Sequence, residues 1–109
     1  MQIRYKDKKV RDLCEKRVVA EQKLGAACAG KLRRRLSDLE AAGRVSELVA
    51  GNPHPLKGDR SGQFALNLAG GWRLVFSPAH DPSPTRPDGG VDWSQVTIVC
   101  IDFVGDYHD

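Results

Sequence analysis

Two short stretches outside helix-like sequence are dense in ionisable side chains: HPLKGDR, residues 54–60, and DYHD, residues 106–109. They supply His54, Lys57, Arg60, Asp106, Tyr107 and His108, and the run WRLVFS between them adds Arg73. The set has no obvious nucleophile but is rich in proton carriers and fixed cations. That combination suits cleavage of RNA by its own 2′-hydroxyl. The reaction needs a base for the 2′-OH proton, an acid for the departing 5′-oxygen, and positive charge around the five-coordinate phosphorus. A plainer role competes: a His beside a Tyr can simply cap a strand end, and Arg73 can pair with Asp102 or Asp106.

A metal is not expected. His54, His80 and His108 have no mutual ligand spacing, no H-x-E or H-x-x-x-H pattern occurs, and no Cys pair is near them. No cofactor motif is present either. Cys14, Cys28 and Cys100 are an odd set without C-x-x-C spacing, each in an apolar stretch, and are expected to be reduced thiols serving as small core hydrophobes.

The elements that must hold these residues can be read from periodicity. MQIRYK alternates Ile3 and Tyr5 with polar residues, as a half-buried strand does, and Asp7 can cap a following helix. From Lys8 to about Leu24 the apolar residues fall near helical spacing, but the pattern weakens after Lys16, so one broken helix or two short ones are both open; Gly25 is a C-terminal stop. ACAGKLRRRLSDLEAA, residues 27–42, is the clearest helix. Cys28, Ala29, Leu32, Leu36 and Leu39 form its apolar stripe, Lys31, Arg34, Arg35 and Asp38 its wet side, and Arg34 can pair with Asp38. GNPHPLKGDRSG reads as loop. QFALNL and WRLVFS, joined by AGG, read as a hairpin with one face on the core, and QVTIVCIDF as a central strand. Residues 78–93 carry four of the six prolines and are expected to be a long irregular hairpin loop. The order β-α-α-β-β-β predicts one α+β domain over residues 1–109, an antiparallel sheet with two N-terminal helices packed on one side.

Charge is unevenly spread. Residues 1–60 hold 15 Lys and Arg against 8 Asp and Glu, whereas residues 61–109 hold 2 against 6. The first half is therefore the side expected to meet a polyanion. No apolar run long enough to span a bilayer and no secretory leader follows Met1, so no membrane contact is expected and the expected compartment is the cytoplasm.

HPLKGDRSGQFAL, the following GGWRLVF and the terminal DYH together resemble the HigB toxins of bacterial toxin–antitoxin pairs, within the RelE-like superfamily. The resemblance runs from about KLRRRLSDLEAA to the end, in matching order and spacing except for the longer 78–93 stretch. It implies a RelE-like fold and a messenger-RNA endonuclease that cuts in the ribosomal A site and is silenced by a helix-turn-helix, HigA-like antitoxin, through which alone it would meet operator DNA. By the same resemblance His54, Asp106, Tyr107 and His108 are tied to cleavage, and Lys57 and Arg73 match cations near the scissile phosphate. Arg60 joins them as a phosphate contact from its place in the loop, and Lys31, Arg33, Arg34 and Arg35 are expected to dock the ribosome. Two other readings remain: a catalytically inactive RelE-fold module acting only as antitoxin-binding co-repressor, and a basic protein that binds RNA through its helix alone.

Overall fold

Asp7 and Gly25 punctuate the first part of the chain. The computed structural model describes residues 1–106, so Tyr107, His108 and Asp109 lie outside the described residues. After β1 (Gln2–Tyr5), the Asp7 carboxylate accepts from the Val10 N–H at 2.9 Å and caps α1 (Lys8–Glu15). Lys16 is extended, which separates α1 from α2 (Arg17–Leu24). Gly25, at φ +81°, then turns the chain into α3 (Ala26–Ala41) through a conformation that side chains with a Cβ rarely adopt. The segment before Gly25 is thus two short helices, giving three α-helices among the described residues where the order β-α-α-β-β-β has two.

The loop sequence that follows contains a two-residue strand, β2 (His54–Pro55), where only irregular chain was expected. β3 (Phe64–Asn67) and β4 (Trp72–Pro78) form the expected hairpin, and β5 (Ile98–Asp106) follows the proline-rich stretch. The sheet order is β1-β5-β4-β3-β2. Four strands run antiparallel to their neighbours, but β1 lies parallel to β5, so the sheet is mixed rather than purely antiparallel. The α+β class and the placing of the helices on one side hold.

Helices and sheet meet in one main core. Cys28, Leu32, Leu36 and Leu39 of α3 pack on Leu66, Leu74, Phe76, Val99 and Ile101. Phe64 stacks at 5.5 Å on Phe76 and at 4.9 Å on Trp93. That last contact shows where residues 78–93 go: a Thr85–Val91 bridge folds the stretch back, and Asp92 caps a short 3-10 turn, Trp93–Gln95, through the Ser94 N–H. The stretch is therefore anchored at its end rather than wholly irregular. His80 accepts from the Thr97 and Ile98 N–H groups at 3.1 and 3.3 Å, which makes it a brace for the start of β5.

Leu39 is fully buried, whereas Val49 is 87% exposed. Leu39→Ala should cost about 2–5 kcal/mol of stability through lost transfer energy and a residual cavity, against about 0.5 kcal/mol or less for Val49→Ala. Denaturant midpoints of the two variants check this.

Candidate nucleic-acid interface

The sheet face turned away from the helices carries His54 and Arg73. Side chains alternate across a strand, so residues paired in register share a face. His54 pairs with Ala65, Ala65 with Val75, and Val75 with Phe103, which makes a single row across four strands. At the usual strand spacing its ends stand roughly 14 Å apart. Between them Leu56, Ala65 and Val75 form a buried apolar floor, with Phe103 packed against it. The next row is Asn67, Arg73 and Gly105. Arg73 is thus on the open face, as its alternation with Trp72, Leu74 and Phe76 predicts.

Local geometry orients the His54 ring. Asn52 takes a left-handed φ of +49°, and its carbonyl lies 2.7 Å from Nδ1 of His54. A carbonyl only accepts, so Nδ1 carries the hydrogen and Nε2 of the neutral ring is the nitrogen left to take a proton. From this point residues 54–60 line an open hollow of about 660 Å³, with Lys57 exposed and Arg60 half-buried in its lining. The Arg60 guanidinium sits over the Phe103 ring, 5.3 Å from its centre. Arg73 is half-buried and donates from Nη1 to the Trp72 carbonyl at 3.1 Å. Across the β3–β4 ladder from it, Asn67 Oδ1 is buried without a hydrogen-bond partner. β1 extends the cationic face, since Arg4 pairs with Cys100 on the side opposite the core residues Ile3 and Tyr5.

The thiols are not activated for nucleophilic work. Burial, reinforced by the nearby Glu15 carboxylate, pushes Cys14 up to about 12. Burial and then Asp102 push Cys100 up as well. Cys28 is buried in the main core as expected, but Cys100 lies opposite Ser77 on the open face and so is not a core residue.

The structure therefore brings His54, Lys57, Arg60 and Arg73 to one side. Asp106 pairs with Trp72, and the residue opposite Arg73 is Gly105. By alternation the Asp106 side chain belongs to the helix-side parity, at the rim beside Gly71, rather than to the Arg73 row. Tyr107 and His108 fall outside the described residues.

The α3 cations are elsewhere. The apolar stripe of α3 faces the sheet, so Lys31, Arg33 and Arg34, all exposed, point away from it. Arg35 departs from the expected wet side: its side chain is 13% exposed and its Nε lies 3.2 Å from Asp38 Oδ2, an ion pair at i,i+3 in place of the expected Arg34–Asp38 pair. The angles of that contact do not make a hydrogen bond, and both atoms are buried. The spacing explains it, because Arg35 stands seven residues after Cys28 and four before Leu39, at the flank of the stripe.

No family model and no curated protein matches the chain. Solved structures do. A YoeB/ParE toxin from Agrobacterium tumefaciens superposes with a TM-score of 0.62 at 15% identity, covering 99% of this chain and 100% of that one. The YoeB–YefM complex from Staphylococcus aureus gives 0.60 at 16% identity, covering 100% of this chain and 98% of that one. The YoeB dimer from the same organism gives 0.58 at 17%, with the same coverage. The chain has the RelE-like toxin fold. Full coverage in both directions means that the RelE-like fold accounts for β1, all three helices and β5, including the N-terminal third that the motif resemblance reached only loosely.

Residues that the sequence reading passed over are Phe103 and Gly105. Within QVTIVCIDF, alternation from Val99 and Ile101 puts Phe103 on the core face. Asp102, however, is an extra residue in β5, because Phe76 pairs with Ile101 while Val75 pairs with Phe103. That bulge turns Phe103 onto the open face.

No helix among the described residues is long and apolar enough to cross a membrane.

Proposed function

We propose that this protein is the toxin of a toxin–antitoxin pair, of the HigB type, acting as a ribosome-dependent messenger-RNA endonuclease. The observation that carries the reading is the placing of His54, its Nδ1 committed to the Asn52 carbonyl, on a sheet face with Arg73 and beside the Lys57–Arg60 hollow. The RelE-like fold and the ordered HPLKG, GWR and DYH motifs support it.

In this mechanism the RNA supplies the nucleophile. The 2′-oxygen attacks the adjacent phosphorus, His54 Nε2 takes the 2′-OH proton, and the P–O5′ bond breaks. The products are a 2′,3′-cyclic phosphate and a 5′-hydroxyl, whose proton comes from an acid. Tyr107 or His108, tied to cleavage by resemblance as Asp106 is, fills that role. Arg73 and Lys57 stabilise charge on the phosphoryl oxygens, and Arg60 adds a phosphate contact. No metal is needed for any of these transfers. Silencing falls to a helix-turn-helix, HigA-like antitoxin; that one structural neighbour was captured as a YoeB–YefM complex supports a protein partner. The working place is the cytoplasm, on translating ribosomes.

The test is inducible expression with and without the neighbouring reading frame, scored for growth arrest and for cuts within translated codons. Arrest without any mRNA cuts would favour the non-catalytic module instead.

Docking should be separable from chemistry. Lys31, Arg33 and Arg34 project on the side opposite the open sheet face, so their pull on a ribosome is long-range and screened by salt. Arg33→Gln with Arg34→Gln should weaken ribosome association, flatten its salt dependence, and spare single-turnover cleavage once ribosomes are saturated. Affinity at two ionic strengths beside single-turnover rates checks it. Arg35→Gln is a stability variant and does not belong in that experiment, because it strips a buried partner from Asp38.

A further inference from the structure

Three residues from two distant parts of the chain form a column on the open face. Gly105 is buried at its base, and a Cβ built there would collide with the Phe103 ring, meeting Cε1 at 2.9 Å and Cζ more closely still. Only glycine lets that ring lie down over the strand. On top of the ring sits the Arg60 guanidinium, 5.3 Å from its centre. Arg60 ends the Gly58–Arg60 turn, and Gly105 stands directly opposite Arg73 in the β4–β5 ladder.

We infer that Phe103 and Gly105 are positioning residues that hold the Arg60 guanidinium over the open face beside Arg73, so that two guanidinium groups, not one, meet consecutive phosphates of bound RNA. The inference rests on the RNA reading above. Three features of the face support it. The bulge at Asp102 is what turns Phe103 outward, so the ring sits away from the main core to which alternation would assign it. The ring offers a π-face, and a planar guanidinium is the cation that stacks on one. The surrounding face also carries Arg4, Lys57 and Arg73 against the carboxylates of Asp59 and Asp102, so with Arg60 included its balance is positive and fits a polyanion.

The experiment measures binding and single-turnover cleavage on ribosomes programmed with mRNA, at several salt concentrations, for Arg60→Gln, Phe103→Leu, Phe103→Tyr, Gly105→Ala and the Arg60→Gln/Phe103→Leu pair. Arg60→Gln should weaken binding about tenfold and lower the slope of log affinity against log salt by about 1, the signature of one lost phosphate contact. Phe103→Leu and Gly105→Ala should each reproduce most of that loss and flatten the slope in the same direction. Phe103→Tyr, which keeps the ring, should bind as the wild type does. In the Phe103→Leu background, Arg60→Gln should cost less than it does in the wild type, because both substitutions remove the same contact. Thermal midpoints identify any variant that fails to fold, and Phe103→Tyr with Arg60→Gln then decides the question.

Outcomes separate the two readings. If the wild type cuts mRNA but Phe103→Leu keeps its affinity and salt slope, or if the two substitutions add fully, the column has no role in holding Arg60 and the inference falls while the nuclease stands. If the wild type neither binds programmed ribosomes nor cuts RNA, the nuclease reading falls and takes this one with it.

Discussion

On the proposed nuclease mechanism, His54→Ala should lower the single-turnover rate of mRNA cleavage by about 10²-fold or more, with the protein still folded and still bound to the ribosome. The expected size follows from what the imidazole alone supplies. Its Nδ1 is fixed on the Asn52 carbonyl at 2.7 Å, which sets both the tautomer and the ring plane, and leaves Nε2 as the proton acceptor. The strand itself survives the change, because β2 is held to β3 through backbone pairing of His54 with Ala65 and Pro55 with Phe64, neither of which needs the ring. His80→Ala provides the contrast. That ring accepts from two backbone N–H groups at the start of β5, so its loss should cost on the order of 1 kcal/mol of stability and leave the chemical step untouched at temperatures where the fold persists. Rates measured beside thermal midpoints distinguish the two histidines. Equal cleavage by wild type and His54→Ala would remove His54 from acid–base chemistry.

The second large effect is expected at Arg73. Arg73→Ala should cost about 10²- to 10³-fold in rate, the range seen when one preorganised donor to a developing oxyanion is removed. Arg73→Lys should recover only part of it. The guanidinium presents a planar fork that can bond two phosphoryl oxygens at once, whereas an ammonium is a point charge on a flexible stem. In the structure one arm of that fork, Nη1, is held by the Trp72 carbonyl at 3.1 Å, which restricts the side chain before any substrate arrives. A lysine has no counterpart to that restraint once its single nitrogen is engaged. The measurement is the single-turnover rate at saturating toxin. A lysine variant that cuts at the wild-type rate would reduce Arg73 to general electrostatic attraction.

Much of this arrangement was legible because it rests on local pattern. The Phe64–Asn67 and Trp72–Pro78 hairpin follows from strict alternation around a glycine-bearing turn, and Arg73 came with its face already assigned. The α3 stripe was equally plain, apart from Arg35 at its margin. What alternation could not deliver was anything that depends on an irregularity. A bulge leaves no mark in a run such as IVCIDF, where both faces look apolar, so the outward turn of Phe103 and the reversal of Asp106 relative to Arg73 were out of reach. β2 was hidden for a different reason. Two residues carry no period, and Pro55 on an edge strand reads as a loop signal until its partner is known. The parallel partner of β1 was invisible because pairing between distant segments has no local signature at all.

That parallel pairing has a consequence for how the molecule comes into being. β1 and its only neighbour, β5, stand at opposite ends of the described chain, and β5 is also what completes the Arg73–Gly105 and Val75–Phe103 rows. The helices and the β3–β4 hairpin depend on contacts close in sequence, whereas both sides of β5 need long loops to close first, which is entropically costly and slow. Assembly is therefore expected to be ordered, with the hairpin early and the insertion of β5 between β1 and β4 late. A chain interrupted before β5 would own His54 and Arg73 but not the face that brings them to bear. If the protein is the proposed nuclease, newly made chains should thus stay inactive until β5 is in place, and a substitution that slows that step, such as one in the β5 bulge, should delay the onset of activity more than it lowers final stability.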